Sequence, residues 1–202
     1  MEIFAMLNQE LVAWAVGRYN ESTDHAHGME HILTVAHEAR GIAKAYNLDL
    51  EPMLLAALLH DVFSSTDRKR HHVLASDWCT NNLTDYGYSV DMAKLVARMC
   101  LEHRASGKGP YTDIYCEAFS AADRGELTIE KFVGRMLKWP EDRGNRVRFK
   151  EVIDHTKEKH SLGSGYARPN NVHAEYYATV LAQFYRDVET LNMERLLEIM
   201  GE

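Results

Sequence analysis

Apolar residues recur at spacings of three and four along most of the chain, and no stretch sustains the alternation of a half-buried strand. The pattern predicts an all-α fold. From about Gly28 to Tyr46 a stripe of Ile32, Val35, Ala36, Ala39, Ile42, Ala43 and Tyr46 marks one helix, with Asn47 well placed to end it. A second helix begins near Pro52, a residue favoured at the first helical position. It is apolar on every side from Met53 to Leu59, which puts it at the centre of the core. Further helices are expected from about Ser89 to His103, from near Thr112, and over roughly Thr128 to Lys138, Asn145 to His160 and Asn171 to Met200. The last carries a stripe of Tyr177, Leu181, Phe184, Val188 and Leu191, and the Trp139-Pro140 pair closes the helix ending at Lys138. The glycines and serines from Ser161 to Gly165 mark a flexible loop, either a lid or a connection.

A chain of 202 residues suits a single domain and buries roughly 70% of the surface that its unfolded form exposes. The formal net charge of -7 argues against extended nucleic acid as a partner, while the run Arg68-Lys69-Arg70-His71-His72 can hold one small anion. The three cysteines, Cys79, Cys100 and Cys116, form no Cys-x-x-Cys pair and fall within apolar helical patterns, so they read as reduced core thiols. Met1 to Val16 lacks the basic start and apolar middle of a secretory leader, and no stretch is long and apolar enough to span a bilayer. The expectation is a cytoplasmic protein without a membrane partner.

Five residues bear on chemistry. The central helix ends in His60-Asp61, and burying an imidazole and a carboxylate beside so much leucine costs several kcal/mol unless partners satisfy them. His31 lies at the edge of the first apolar stripe, His103 shares a face with Val96 and Met99, and Asp123 shares one with Cys116 and Phe119. Imidazole nitrogens and carboxylate oxygens converging on one core suit a divalent ion such as Zn, Mn or Fe, although such groups also occur as satisfied core polar residues.

The order His, His-Asp, Asp resembles the signature of the HD-domain superfamily: Glu30-His31-Ile32, then His60-Asp61 after Ala57-Leu58-Leu59, then Ala121-Ala122-Asp123-Arg124. The resemblance covers about residues 24–125 and leaves 126–202 as a helical extension that shapes the pocket or an oligomer contact. It implies a single-domain helical bundle and a metal-dependent phosphohydrolase with His31, His60, Asp61 and Asp123 as ligands. In the two-metal branch, His72 and His103 fall where extra ligands stand, with Asp61 bridging both ions and indispensable to catalysis. His71 competes with His72, because the register of that stretch is open. The metal remains one of Mn, Fe, Co, Mg, Zn and Ni.

That branch usually has a lysine three residues beyond the aspartate of the His-Asp pair, where this chain has Ser64. Phosphate contact then falls to Lys69, Lys108, Arg104 and Arg124, with Arg68 and Arg168 as further candidates. His27, four residues before His31 on the same helix face, reads either as a group supporting a ligand or as an N-terminal surface residue, and His25 is left unassigned. The segment from His103 to Asp123 is similar to its counterpart in HD-type dinucleoside tetraphosphate hydrolases, so a nucleotide or dinucleoside polyphosphate is the expected substrate. No Gly-rich phosphate loop, Gly-x-Ser-x-Gly elbow or dinucleotide fingerprint competes with this assignment. Two rivals remain: a di-iron oxygenase of the same superfamily and a non-catalytic nucleotide-binding module.

Overall fold

A computed structural model describes residues 2–22, 27–104, 110–141, 149–162, 167 and 169–201. Lys108, His25, Arg168 and the stretch 163–165 of the expected loop lie outside these residues. Among the described residues there are eleven α-helices and no strand, so the all-α class holds. No helix among them is long and apolar enough to cross a membrane. Packing divides the chain into two compact units, Met1–Gly125 with Asn170–His173, and Glu126–Pro169 with Ala174–Glu202.

The first unit is built from α1 (Gln9–Asn20), α2 (Met29–Ala45), α3 (Leu50–Leu59), α4 (His71–Asn82), α5 (Val90–Glu102) and α6 (Ile114–Arg124). Every residue of α3 from Pro52 to Leu59 is buried, and each enclosed leucine contributes about 2 kcal/mol by leaving water. Asp49 precedes α3, so Pro52 falls in its first turn rather than at its first position, still where a missing N–H costs no helical bond. Asn47 ends α2 as expected: it turns left-handed at φ 52°, and the Leu48 N–H then closes on the Ala43 carbonyl.

Helices α1 and α4 were not among the predicted elements. The Asn8 side chain caps α1 by accepting from the Glu10 and Leu11 N–H groups, and Leu11, Val12, Ala15 and Tyr19 bury its inner face. In α4 the buried stripe is His71, Ala75 and Cys79. Trp14 of α1 stacks on Trp78 of α4 at 4.2 Å and 8°, which fastens these helices together. The Tyr19 hydroxyl donates to the Leu58 carbonyl at 3.0 Å, satisfying one of the acceptors orphaned at the end of α3. Caps from Ser89 and Asp113 start α5 and α6, close to the expected boundaries. Cys79, Cys100 and Cys116 are buried free thiols; the Cys79 contact and burial push the Cys100 thiol up, which keeps it inert.

In the second unit, α7 (Ile129–Glu141), α8 (Phe149–His160), α10 (Ala178–Thr190) and α11 (Met193–Met200) enclose a core that includes Ile129, Val133, Val152, Phe184 and Leu196. Helix α7 runs on through Pro140, which costs it one hydrogen bond in a turn that is about to end. The single helix expected from Asn171 to Met200 is three: α9 (Asn171–Tyr176), α10 and α11. The second break occurs where Leu191 turns extended and the Asn192 side chain accepts from the Arg195 N–H, capping α11.

Candidate metal centre

The sequence-predicted donors converge at helix ends in the first unit. His31 stands in the first turn of α2, His60 closes α3 with Asp61 just beyond it, His103 closes α5, and Asp123 lies in the last turn of α6. His31 Nε2 lies 3.2 Å from Asp123 Oδ1 and 3.6 Å from Asp61 Oδ2, while His60 Nε2 lies 3.4 Å from each of the same two oxygens. The other oxygen of Asp61 faces a second group: Oδ1 is 3.1 Å from His71 Nε2 and 3.9 Å from His103 Nε2. Among the described residues, the two groups that can hold a metal are therefore His31, His60 and Asp61, and Asp61, His71 and His103.

His71, and not His72, meets Asp61 and His103. It is buried as the first residue of the α4 stripe, whereas His72 points aside with its ring centre 6.5 Å from that of His103. Burial and the neighbouring Arg104 and His71 push the His72 pKa down. The four-residue spacing of His71, Ala75 and Cys79 is the sequence signal that selects the correct register.

Three of the imidazoles are oriented in the same way. The Nδ1–H groups of His60, His71 and His103 donate to the carbonyls of Ala57, Arg68 and Cys100 at 3.1, 2.9 and 2.6 Å, each three residues earlier. That bond fixes the tautomer and turns the Nε2 lone pair inward, the orientation a metal ligand requires.

The donors fit a cation. Ligand atoms about 2.1 Å from a common ion lie about 3.0–3.5 Å from one another, close to the separations found here. The buried atoms His31 Nε2, His60 Nε2 and Asp61 Oδ1 crowd together yet make no aligned hydrogen bond. Burial works against charge on His60, but Asp61 and Asp123 overcome it and raise its pKa to about 10. Burial likewise opposes ionisation of both carboxylates, and the surrounding histidines nevertheless hold them well below the usual range. Burial presses His103 the other way, to about 4. Two ionised carboxylates enclosed among imidazoles call for positive charge between them, which a proton on His60 supplies in part and a metal ion would supply in full.

The remaining candidates are spread around this centre. His27 Nε2 is 4.0 Å from Asp61 Oδ2 and accepts from the Arg68 guanidinium at 2.7 Å. Arg104 donates to the Lys69 carbonyl at 3.1 Å, the Lys69 side chain is exposed, and Arg124 follows Asp123 at the end of α6. Ser64 is buried, 4% exposed, and offers no charge in place of a lysine. A cavity of about 520 Å³ elsewhere on this unit is lined by Tyr111, Asp113 and Glu117 among others, and none of the donors lines it.

A solved structure of a predicted HD superfamily hydrolase from an uncultured Thermotogales bacterium is similar in fold. It aligns with a TM-score of 0.55 at 20% identity over 74% of this chain and 89% of its own. No curated protein matches the sequence. The HD domain family model matches residues 28–157, more than half of the chain and all of the donors described above. The protein belongs to the HD domain family.

Proposed function

We propose that this protein is a metal-dependent phosphohydrolase that acts on a small phosphate-bearing substrate, most simply a nucleotide or dinucleoside polyphosphate. One observation carries the reading: the two oxygens of Asp61 face two separate sets of imidazole nitrogens, the arrangement of a carboxylate shared by two ions. The ligands would be His31, His60, Asp61 and Asp123 for one ion, and Asp61, His71 and His103 for the other. The class of the similar Thermotogales protein, a predicted hydrolase, agrees with this reading.

Divalent ions at such a site supply Lewis acidity and lower the pKa of water toward neutrality. The chain's part is to hold the donors in place. Asp61 ties the two positions together, and the carbonyl-locked rings of His60, His71 and His103 keep their lone pairs aimed without reorganisation. Lys69, Lys108, Arg104 and Arg124 are the phosphate-binding candidates, able to neutralise charge on the transferring group. Mixed nitrogen and carboxylate donors suit Mn, Fe, Co, Ni, Zn or Mg in that general class. Buried free thiols fit a reducing, cytoplasmic setting.

The test is phosphate release by protein loaded in turn with Mn, Co, Mg and Fe, over nucleotides, dinucleoside polyphosphates and simple phosphate esters, with Asp61→Ala as control. Metal-dependent turnover lost in the control supports the reading. Uniform inactivity with metal bound overturns it, and oxygen uptake by the iron form would point to the oxygenase instead.

A further inference from the structure

We propose that Arg68, aimed by His27, is the cation that receives the substrate's phosphate beside the metal centre. The inference rests on the phosphohydrolase reading and assigns it a substrate-contacting residue and a positioning residue.

His27 packs edge-on against the ligand His31, with ring centres 5.5 Å apart, and its Nε2 stands 4.0 Å from Asp61 Oδ2. It nevertheless belongs to neither donor group. Its Nε2 is engaged by Arg68 at 2.7 Å, and because a guanidinium does not give up its proton, the imidazole is the acceptor. Arg68 is thereby held one ring away from the carboxylate that faces both donor groups.

The backbone of the same residue is fixed as well, since the Arg68 carbonyl accepts from His71 Nδ1 at 2.9 Å. Both ends of Arg68 are thus tied to the metal centre, its main chain through the donor His71 and its side chain through His27. A cation positioned beforehand loses little freedom on meeting an anion, and a planar guanidinium matches phosphate oxygens two at a time. Arg104 spends one of its N–H groups on the Lys69 carbonyl, which leaves it securing this loop from the other side. The position where the two-metal branch usually has a lysine holds the buried, uncharged Ser64, so the cation beside the centre comes from the far end of the loop instead.

The experiment is calorimetric titration of the Mn-loaded full chain with inorganic pyrophosphate and inorganic phosphate, for wild type, Arg68→Ala, His27→Ala, His27→Gln and the Arg68→Ala/His27→Ala double variant. Mn stoichiometry is measured on each. We expect Arg68→Ala to weaken pyrophosphate binding about tenfold to a hundredfold with Mn stoichiometry unchanged. His27→Ala should weaken it in the same direction, the double variant should be no worse than Arg68→Ala, and the glutamine oxygen of His27→Gln should restore most of the loss. Unchanged affinity in Arg68→Ala, additive losses in the double variant, or loss of Mn in either single variant would overturn the inference. Wild-type protein that binds Mn but neither anion would instead sink the phosphohydrolase reading itself.

Discussion

His71 and His103 face each other Nε2 to Nε2 at 3.3 Å, and neither ring has an Nδ1 proton to spare, because both are committed to backbone carbonyls. Two inward lone pairs at that distance repel unless a proton or a metal ion lies between them. Burial makes a proton costly on His103, whose pKa it presses to about 4. The pair is therefore poised for a cation shared with Asp61.

His71→Ala should remove one bound ion per chain and reduce turnover at least a hundredfold, whereas His72→Ala should leave stoichiometry intact and change turnover only a few-fold. Elemental analysis after desalting, paired with phosphate release, separates the two. Equal metal loss in both variants would contradict the assignment of the α4 register.

Arg104→Ala should loosen the loop that Arg104 fastens through the Lys69 carbonyl. Because that loop carries the carbonyl orienting His71, the second ion should bind about tenfold more weakly while the first is unaffected. Stepwise Co titration followed by absorbance resolves the two events. A variant that keeps both affinities and loses only phosphate binding would make Arg104 a substrate contact instead.

Ion binding should also appear in stability. Ligands absent from the unfolded chain stabilise by mass action, about 2.7 kcal/mol at a hundredfold excess over Kd. Thermal melts should rise by several degrees on adding Mn and fall back with chelator, and Asp61→Ala should show no such response.

His173 provides the pH test. It is fully enclosed and donates from Nε2 to the Gly125 carbonyl at 2.8 Å; burial presses its pKa down to about 4 from an ordinary 6.5, the nearby Arg124 adding to the effect. Between those values the unfolded chain takes up a proton that the folded chain refuses, so stability falls as pH drops from 6.5 toward 4 and levels below that. The loss is of order a few kcal/mol, and in His173→Gln the urea midpoint should fall less over this interval.

The central apolar run from Met53 to Leu59 and the Ser89 and Asn47 boundaries were legible because each depends on local periodicity or on a cap, and five of the six donors because they follow the His, His-Asp, Asp order or, as His103 does, close an apolar helix. The α4 register was harder to read. Arg68 to His72 is dense in charge, which masks the stripe of His71, Ala75 and Cys79 beginning inside it. The breaks around α10 were hidden for the opposite reason: the apolar stripe from Tyr177 to Leu191 obscures the cap at Asn192, which ends its continuation. The pairing of His27 with Arg68 spans chain segments far apart, and no spacing rule reports it.

The stretch between Asp61 and His71 is pinned at both ends by prospective ligands and carries Arg68 and Lys69 along its length. Its exposed side chains, Arg68 and Lys69 among them, can change while its anchors stay put. On the proposed function, substrate preference would be rewritten at those positions without displacing a ligand.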